Sequence, residues 1–184
     1  NTEGSTILIN VMKLTIAQKS YIAGFLDGDG SIYVQAKPNK TYHYKFQISP
    51  SVVFFQSSKN EKFIKEVQKI LNIGYIRRRK DGVCELIIGK EQEIIELLNN
   101  INKYLILKKP QSILMIKILK AKQNIKNAND FLRVVELIDQ FYRLNYSKKR
   151  LNNNKIVKDA LKIQGLLPRR DCSGKMLDES SVCR

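Results

Sequence analysis

The nine residues Ile22–Gly30, IAGFLDGDG, constrain this chain more than any other stretch. They place three glycines and two acids, Asp27 and Asp29, where a helix should be packing. Upstream, Thr15 and Gln18 have the spacing of a capping box. Ile16, Tyr21, Ile22, Phe25 and Leu26 then follow one apolar stripe. Gly24 falls in mid-helix, where glycine costs about 1 kcal/mol against alanine. Such a glycine is best explained by another backbone packing very close. A calcium loop of the EF-hand type is excluded. Counted from Asp27, its sixth position is Ile32 and its twelfth is Pro38, and neither can serve. A simple turn explains Gly28 and Gly30, which should end the helix, but not Gly24.

From Ser31 the period changes to two. Ile32, Val34 and Ala36 share one face of a strand, with Tyr33, Gln35, Lys37 and Asn39 on the other. A second strand is expected over residues 44–56. It has Phe46, Ile48, Pro50, Val52 and Phe54 on one face, and Gln47, Ser49, Ser51 and Val53 on the other. Pro50 predicts an edge position or a bulge. Ser58 and Glu61 suggest a second capping box. NIGYIRRR and GVCELIIG form a hairpin around Lys80-Asp81-Gly82. Residues 91–107 look helical with a break near Asn99-Asn100, and Pro110 ends that unit. Further helices are expected over 111–123, 130–144 and about 154–161. Two helix-hairpin units side by side make an α+β fold of order αββαββα, with a four-stranded antiparallel sheet, helices on one face and further C-terminal helices. The expected division is an N-terminal extension over 1–14, one domain over 15–165, and a mobile tail over 166–184.

The other face of that sheet would carry Tyr33, Gln35, Lys37, Asn39, Gln47, Ser49, Ser51, Arg77, Arg79 and Glu85. A solvated face is the ordinary fate of polar strand residues. Here it meets a net charge of +16, from 33 Lys and Arg against 17 Asp and Glu. Such a field favours a polyanion, nucleic acid first. Arginine suits guanine, and glutamine or asparagine suits adenine, in the major groove. Arg78 alternates to the opposite face, for a structural or phosphate-binding part. Lys148 and Lys149 would add attraction that weakens with salt.

Three cysteines (Cys84, Cys172, Cys183) and one histidine, His43, give no zinc spacing and no disulfide framework. A reducing compartment fits them. No apolar run reaches the roughly 18 residues of a membrane span, and the first residues lack signal-peptide character, so no membrane partner is expected. The abundance of Lys, Asn and Ile hints at an A/T-rich genome, such as an organelle's.

IAGFLDGDG resembles the LAGLIDADG signature of homing endonucleases over the whole nonapeptide. GSIYVQ, KPN, the strand end at Gln56, GYIRRR and YLILKKPQ fall in the order of the small single-motif, I-CreI-like group. The resemblance covers residues 21–144. It implies that family's saddle-like sheet and a homodimer, because one motif needs a second chain. Ala23 and Gly24 would form the close helix contact, flanked by Ile22, Leu26 and Asp27, the last capping at the dimer seam. It implies a site-specific double-strand DNA endonuclease cutting a long, pseudo-palindromic target. Asp29 would coordinate Mg²⁺ or Mn²⁺, with the Gly28 carbonyl as second ligand, and Ca²⁺ would support binding without cleavage. Gln56 and Lys108 match positions near the active site. The face residues named above, with Tyr42, would bind double-stranded DNA. The group carries a basic residue where this chain has Asn60, so either Lys59 or Lys62 would substitute or the pocket's water network would differ. The resemblance points to an intron-encoded, organellar protein, of the chloroplast first and the mitochondrion second.

Two rivals share this fold. A non-catalytic DNA-binding regulator is disfavoured by the intact Asp29, a carboxylate costly beside phosphates without a metal. An RNA-binding maturase stays open, but only Tyr33, Tyr42 and Tyr44 could form a stacking platform. Other nuclease folds are disfavoured: no acidic-x-Lys tripeptide occurs, and one histidine cannot build a His-based site.

Overall fold

The computed structural model describes residues 13–145 and 153–167. Its elements run α1 (Ile16–Asp29), β1 (Gly30–Pro38), β2 (Phe46–Ser57), a 3₁₀ turn (Ser58–Asn60), α2 (Glu61–Leu71), β3 (Tyr75–Arg78) and β4 (Val83–Ile88). They continue with α3 (Glu91–Ile101), a second 3₁₀ turn (Asn102–Tyr104), α4 (Lys109–Gln123), α5 (Ala128–Leu144) and α6 (Asn154–Ile163). The four strands form one antiparallel sheet of order β1-β2-β4-β3. The chain divides into two compact units. One holds the chain up to Ser31 together with Ser51–Lys109, the other Ile32–Pro50 and the chain from Pro110 onward.

In the first unit, Thr15 caps α1 with both halves of the box formed. The Gln18 amide donates to Thr15 Oγ1 at 3.2 Å, and the Thr15 amide donates to Gln18 Oε1 at 2.9 Å. The helix then turns into β1 with no loop. Gly30 makes this possible, because a Cβ there would stand 2.5 Å from Leu26 Cδ1 and 2.7 Å from its carbonyl oxygen. Asp29 is thereby fixed at the junction. Ile22, Ala23 and Leu26 of α1 are fully buried with Phe54, Ile64, Leu86, Leu97 and Ile101. Phe25 stacks on Phe54 at 5.2 Å and meets Phe63 edge-on at 5.1 Å. The β3–β4 hairpin turns as expected, with Gly82 at φ +80°.

In the second unit, Ile32, Val34 and Ala36 are buried with Phe46, Ile48, Met115, Ile118, Val135 and Ile138. Tyr44 stacks on Phe131 at 4.7 Å, which removes it from any stacking platform. Asn145 Nδ2 donates to the Ile32 carbonyl at 3.2 Å, tying the end of α5 to β1.

β2 is central in the sheet, but its register with β4 starts at Val52↔Ile88, so Pro50 takes an edge position short of that ladder, where its missing N–H costs no bond to β4. Three local expectations need correction. The Ser58–Glu61 capping box does not form. Ser57 caps the 3₁₀ turn instead, and the Glu61 carboxylate is held by Arg78 at 2.5 and 2.7 Å and by Lys65 at 2.9 Å. The break after α3 falls at Asn102 rather than at Asn99-Asn100, because Asn100 Nδ2 bonds the Glu96 carbonyl within the helix. Residues 105–107 are not helical. Lys148, Lys149, Cys172 and Cys183 lie outside the described residues. Cys84 is buried, and that burial pushes its thiol pKa up.

Candidate active site and nucleic-acid interface

The two acids at the end of α1 have opposite surroundings. The Asp27 carboxylate accepts three backbone amides of its own chain: Ile106 at 2.7 Å and Leu107 at 3.1 Å on Oδ2, and Lys108 at 2.8 Å on Oδ1. Lys108 Nζ returns a hydrogen bond to the Asp27 carbonyl at 2.5 Å. A carboxylate at the negative end of a helix is unfavourable by itself. These N–H groups and the ammonium offset that cost. Asp29, two residues on, is exposed and accepts no hydrogen bond among the described residues. Burial pulls Lys108 below the ordinary lysine range, while the charges of Asp27 and Asp29 pull the other way.

Gln56 lies in the same unit, at the end of β2. Its Oε1 accepts the Ser57 amide at 2.8 Å and Asn60 Nδ2 at 3.4 Å. The unusual Asn60 is thus bonded to Gln56 itself. Lys59 and Lys62 are exposed, and among the described residues no hydrogen bond joins either to Gln56. The structure therefore joins Lys108 directly to the end of α1. No hydrogen bond joins Gln56 to Asp29 among the described residues. Among the described residues, no group of three or more His, Cys, Asp or Glu is placed to hold a metal ion. One free carboxylate beside one backbone carbonyl suits a hard cation that keeps its waters and takes phosphate oxygens, rather than a closed protein cage.

The outward stripe of α1 consists of Ala17, Ser20, Tyr21, Gly24 and Gly28, all exposed. Nothing lies within 4 Å of where a Cβ on Gly24 or Gly28 would stand. Exposed apolar side chains accompany this stripe in the same unit: Ile16 (73 %), Tyr21 (52 %), Ile106 (89 %) and Leu107 (61 %). Ile22, Ala23 and Leu26 face inward and are filled by the chain's own core, so they offer no surface to a second chain. Asp27 is occupied by residues 106–108. Of the five residues expected at a dimer seam, only Gly24 is open. Sequence periodicity could have separated the two stripes. It did not, because all five residues belong to one motif.

The expected sheet-face residues divide between the units. In the second unit, Gln35 and Lys37 are exposed and Tyr33, Gln47 and Ser49 half-buried. Asn39 organises the β1–β2 turn, accepting from the Thr41 amide (3.1 Å) and hydroxyl (2.8 Å) and donating to Gln47 Oε1 (3.3 Å). Tyr42 is exposed. In the first unit the face is less polar than its pattern suggested. Ser51 is buried and its hydroxyl has no partner, and Val53 and Ile87 are buried as well. Glu85 is only 2 % exposed, beneath Arg77 and Arg79. Tyr75, paired with Ile87 in the β3–β4 register, is exposed on this face and was not anticipated. Its neighbour Arg77 pairs with Glu85, and that period-two step was the available signal.

A family model described as LAGLIDADG endonuclease matches residues 22–120. The chain belongs to that family. Among curated relatives it is 34 % identical over 142 residues to DNA endonuclease I-CreI of Chlamydomonas reinhardtii, covering 77 % of this chain and 86 % of the relative. It is 32 % identical over 146 residues to DNA endonuclease I-CvuI of Chlorella vulgaris, covering 79 % of this chain and 91 % of that one. Among solved structures, I-CvuI bound to the I-CreI target in the presence of Mg matches with a TM-score of 0.78 at 31 % identity, over 81 % of this chain and 95 % of that one. I-CvuI bound to its own target in the presence of Ca matches equally. An archaeal intron-encoded relative, I-Vdi141I, shares the LAGLIDADG fold at 22 % identity with a TM-score of 0.73, over 82 % of this chain and 98 % of that one.

Proposed function

We propose that this chain is a site-specific double-strand DNA endonuclease acting as a homodimer, with residues 15–165 as its working part. The observation that carries it is Asp29. It is a carboxylate without a hydrogen-bond partner among the described residues, presented at a helix-to-strand junction beside an outward stripe of small residues. Packing Gly24 and Gly28 against the same residues of a second chain would place two Asp29 carboxylates near one dyad. Tyr21, Ile16, Ile106 and Leu107 would be covered in the same step. A target with two-fold character follows, because two identical halves read two half-sites.

Asp29 and the Gly28 carbonyl would hold Mg²⁺ or Mn²⁺, and Ca²⁺ would support binding alone. When bound, such an ion polarises the scissile phosphate and lowers the pKa of a bound water. Lys108, fixed by its bond to the Asp27 carbonyl, keeps a positive charge beside the negative charge that builds on the phosphate. Gln56, with Oε1 engaged by Ser57 and Asn60, keeps its amide N–H groups for ordering the attacking water. Asn60 takes the place of a basic residue through Gln56, without Lys59 or Lys62. Base contacts come from Gln35, Lys37, Gln47, Ser49, Tyr33, Asn39 and Tyr42 in one unit, and from Arg77 and Arg79 in the other. The green-algal relatives and the A/T-rich residue usage support an intron-encoded, chloroplast origin.

The test enriches bound duplexes from a random library in Ca²⁺, then replaces Ca²⁺ with Mg²⁺, with Asp29→Asn alongside. The expected result is cutting of both strands within a two-fold site by the wild type, and binding without cutting by the variant. Defined binding with no cutting by either would favour the regulator. Enrichment of no duplex would move RNA forward.

A further inference from the structure

Resting on the proposal that the sheet binds DNA, we propose that Glu85 touches no base but is a positioning residue that aims Arg77 and Arg79. Glu85 sits on β4 directly opposite Arg77 of β3. It is almost wholly buried, and both its oxygens are taken. Oε2 accepts Arg77 Nε at 2.6 Å and Arg77 Nη2 at 2.5 Å, and Oε1 accepts Arg79 Nη1 at 3.3 Å. A cytosine amino group could reach this carboxylate only by moving aside an arginine that covers it, leaving a buried charge to be paired again. Direct reading by Glu85 is therefore disfavoured, although an acid on a reading face ordinarily suggests it.

The two arginines are held differently. Arg77 gives its Nε–Nη2 edge to Glu85, so its Nη1–Nη2 end keeps donors facing outward. Guanine N7 and O6 accept a pair of donors of that kind. Arg79 has both terminal nitrogens engaged, Nη1 by Glu85 and Nη2 by Asp81 at 2.5 Å. Asp81 is itself exposed, in the Lys80-Asp81-Gly82 turn. Arg79 keeps its Nε–H and the second N–H of each terminal nitrogen, but its head is tethered on two sides, and swinging it out toward a base means letting go of Asp81, an exposed and weakly held partner. Arg77 is a pre-aimed reader that depends on Glu85, and Arg79 is one restrained by Asp81.

The experiment measures dissociation constants in Ca²⁺ for the enriched duplex and for every single-base-pair change in one half-site. It uses the full-length wild type, Arg77→Ala, Arg79→Ala, Glu85→Gln, Glu85→Asp and Asp81→Asn, with thermal unfolding of each as a check on folding. Arg77→Ala should erase discrimination at one or two adjacent base pairs. Glu85→Gln should lower discrimination at those same pairs by about tenfold, with no loss of affinity for unrelated duplex, since one negative charge is removed. Glu85→Asp should restore part of the lost discrimination. Asp81→Asn should tighten binding to every duplex a few fold. If Arg77→Ala erases discrimination while folded Glu85→Gln retains it, the positioning role is overturned. If Glu85→Gln alters preference at a pair that Arg77→Ala leaves untouched, and Arg79→Ala leaves that pair untouched too, Glu85 reads directly and the proposal also fails. If Arg77→Ala changes no base preference, it is the underlying view of the sheet face that fails.

Discussion

The two faces of α1 carry residues from the same nine-residue motif and have opposite fates. Inward, Ile22, Ala23 and Leu26 are fully buried, and the Asp27 carboxylate is consumed by three amides of residues 106–108. Outward, Gly24 and Gly28 have open space above them, and Asp29 has no hydrogen-bond partner among the described residues. The inner face is complete within one chain, and the outer face is not. The motif thus does two jobs on one helix. It builds the core that fixes the helix end, and it presents glycine and a free carboxylate to whatever completes the site.

The largest effect should come from the outer end. Asp29→Asn should lower the cleavage rate by about a thousandfold or more, the scale of losing several kcal/mol of metal-assisted stabilisation. Binding in Ca²⁺ should remain, read by gel shift beside single-turnover cleavage. On the inner face, Leu26→Ala should cost about 2–5 kcal/mol of stability in denaturant titrations, as a fully buried leucine that leaves a cavity. Asp27→Asn should cost about 1–3 kcal/mol by weakening the acceptor of three amides. It should also slow cleavage, because the backbone that carries Lys108 is held less firmly, although the Asp27 carbonyl that accepts its Nζ remains.

Gly24→Ala sharpens the contrast by moving two quantities in opposite directions. In the separate chain it should stabilise α1 by up to about 1 kcal/mol, since a Cβ there meets nothing. It should weaken self-association, seen as a dissociation constant raised in sedimentation equilibrium. An unchanged association constant would break the comparison, because Gly24 would then not face a partner.

How much of this was legible in the sequence depends on how local the cause is. The Thr15–Gln18 box, the β3–β4 turn at Gly82 and the inward set Ile32, Val34 and Ala36 rest on neighbouring residues and were readable. The Ser58–Glu61 box was not, because a residue 17 positions away, Arg78, claims the Glu61 carboxylate. Asp27 and Asp29 look alike in sequence. The resemblance separated their roles, but only the return of residues 106–108 to the helix end gives the physical reason. Glu85 was assigned to an open face by alternation. Alternation cannot reveal that two arginines on the same face lie over it.

The smallest expected effect concerns that distant pair. Hydrogen bonds from Arg78 and Lys65 hold the Glu61 carboxyl down to about 2, from an ordinary 4.5. Its folded pKa is depressed, so its contribution is present above pH about 4.5 and is lost as pH falls toward about 2. Both partners are exposed, so screening keeps the effect small. Glu61→Gln should flatten the acid limb of melting temperature against pH by a few degrees at most.

The most direct test of the account is cleavage by mixed dimers in which one protomer is wild type and the other carries Asp29→Asn, separated by different affinity tags. The account predicts that they bind the enriched duplex like the wild type but lose double-strand cutting, because each chain supplies one of two required carboxylates. Mixed dimers that cut both strands at the wild-type rate would contradict it.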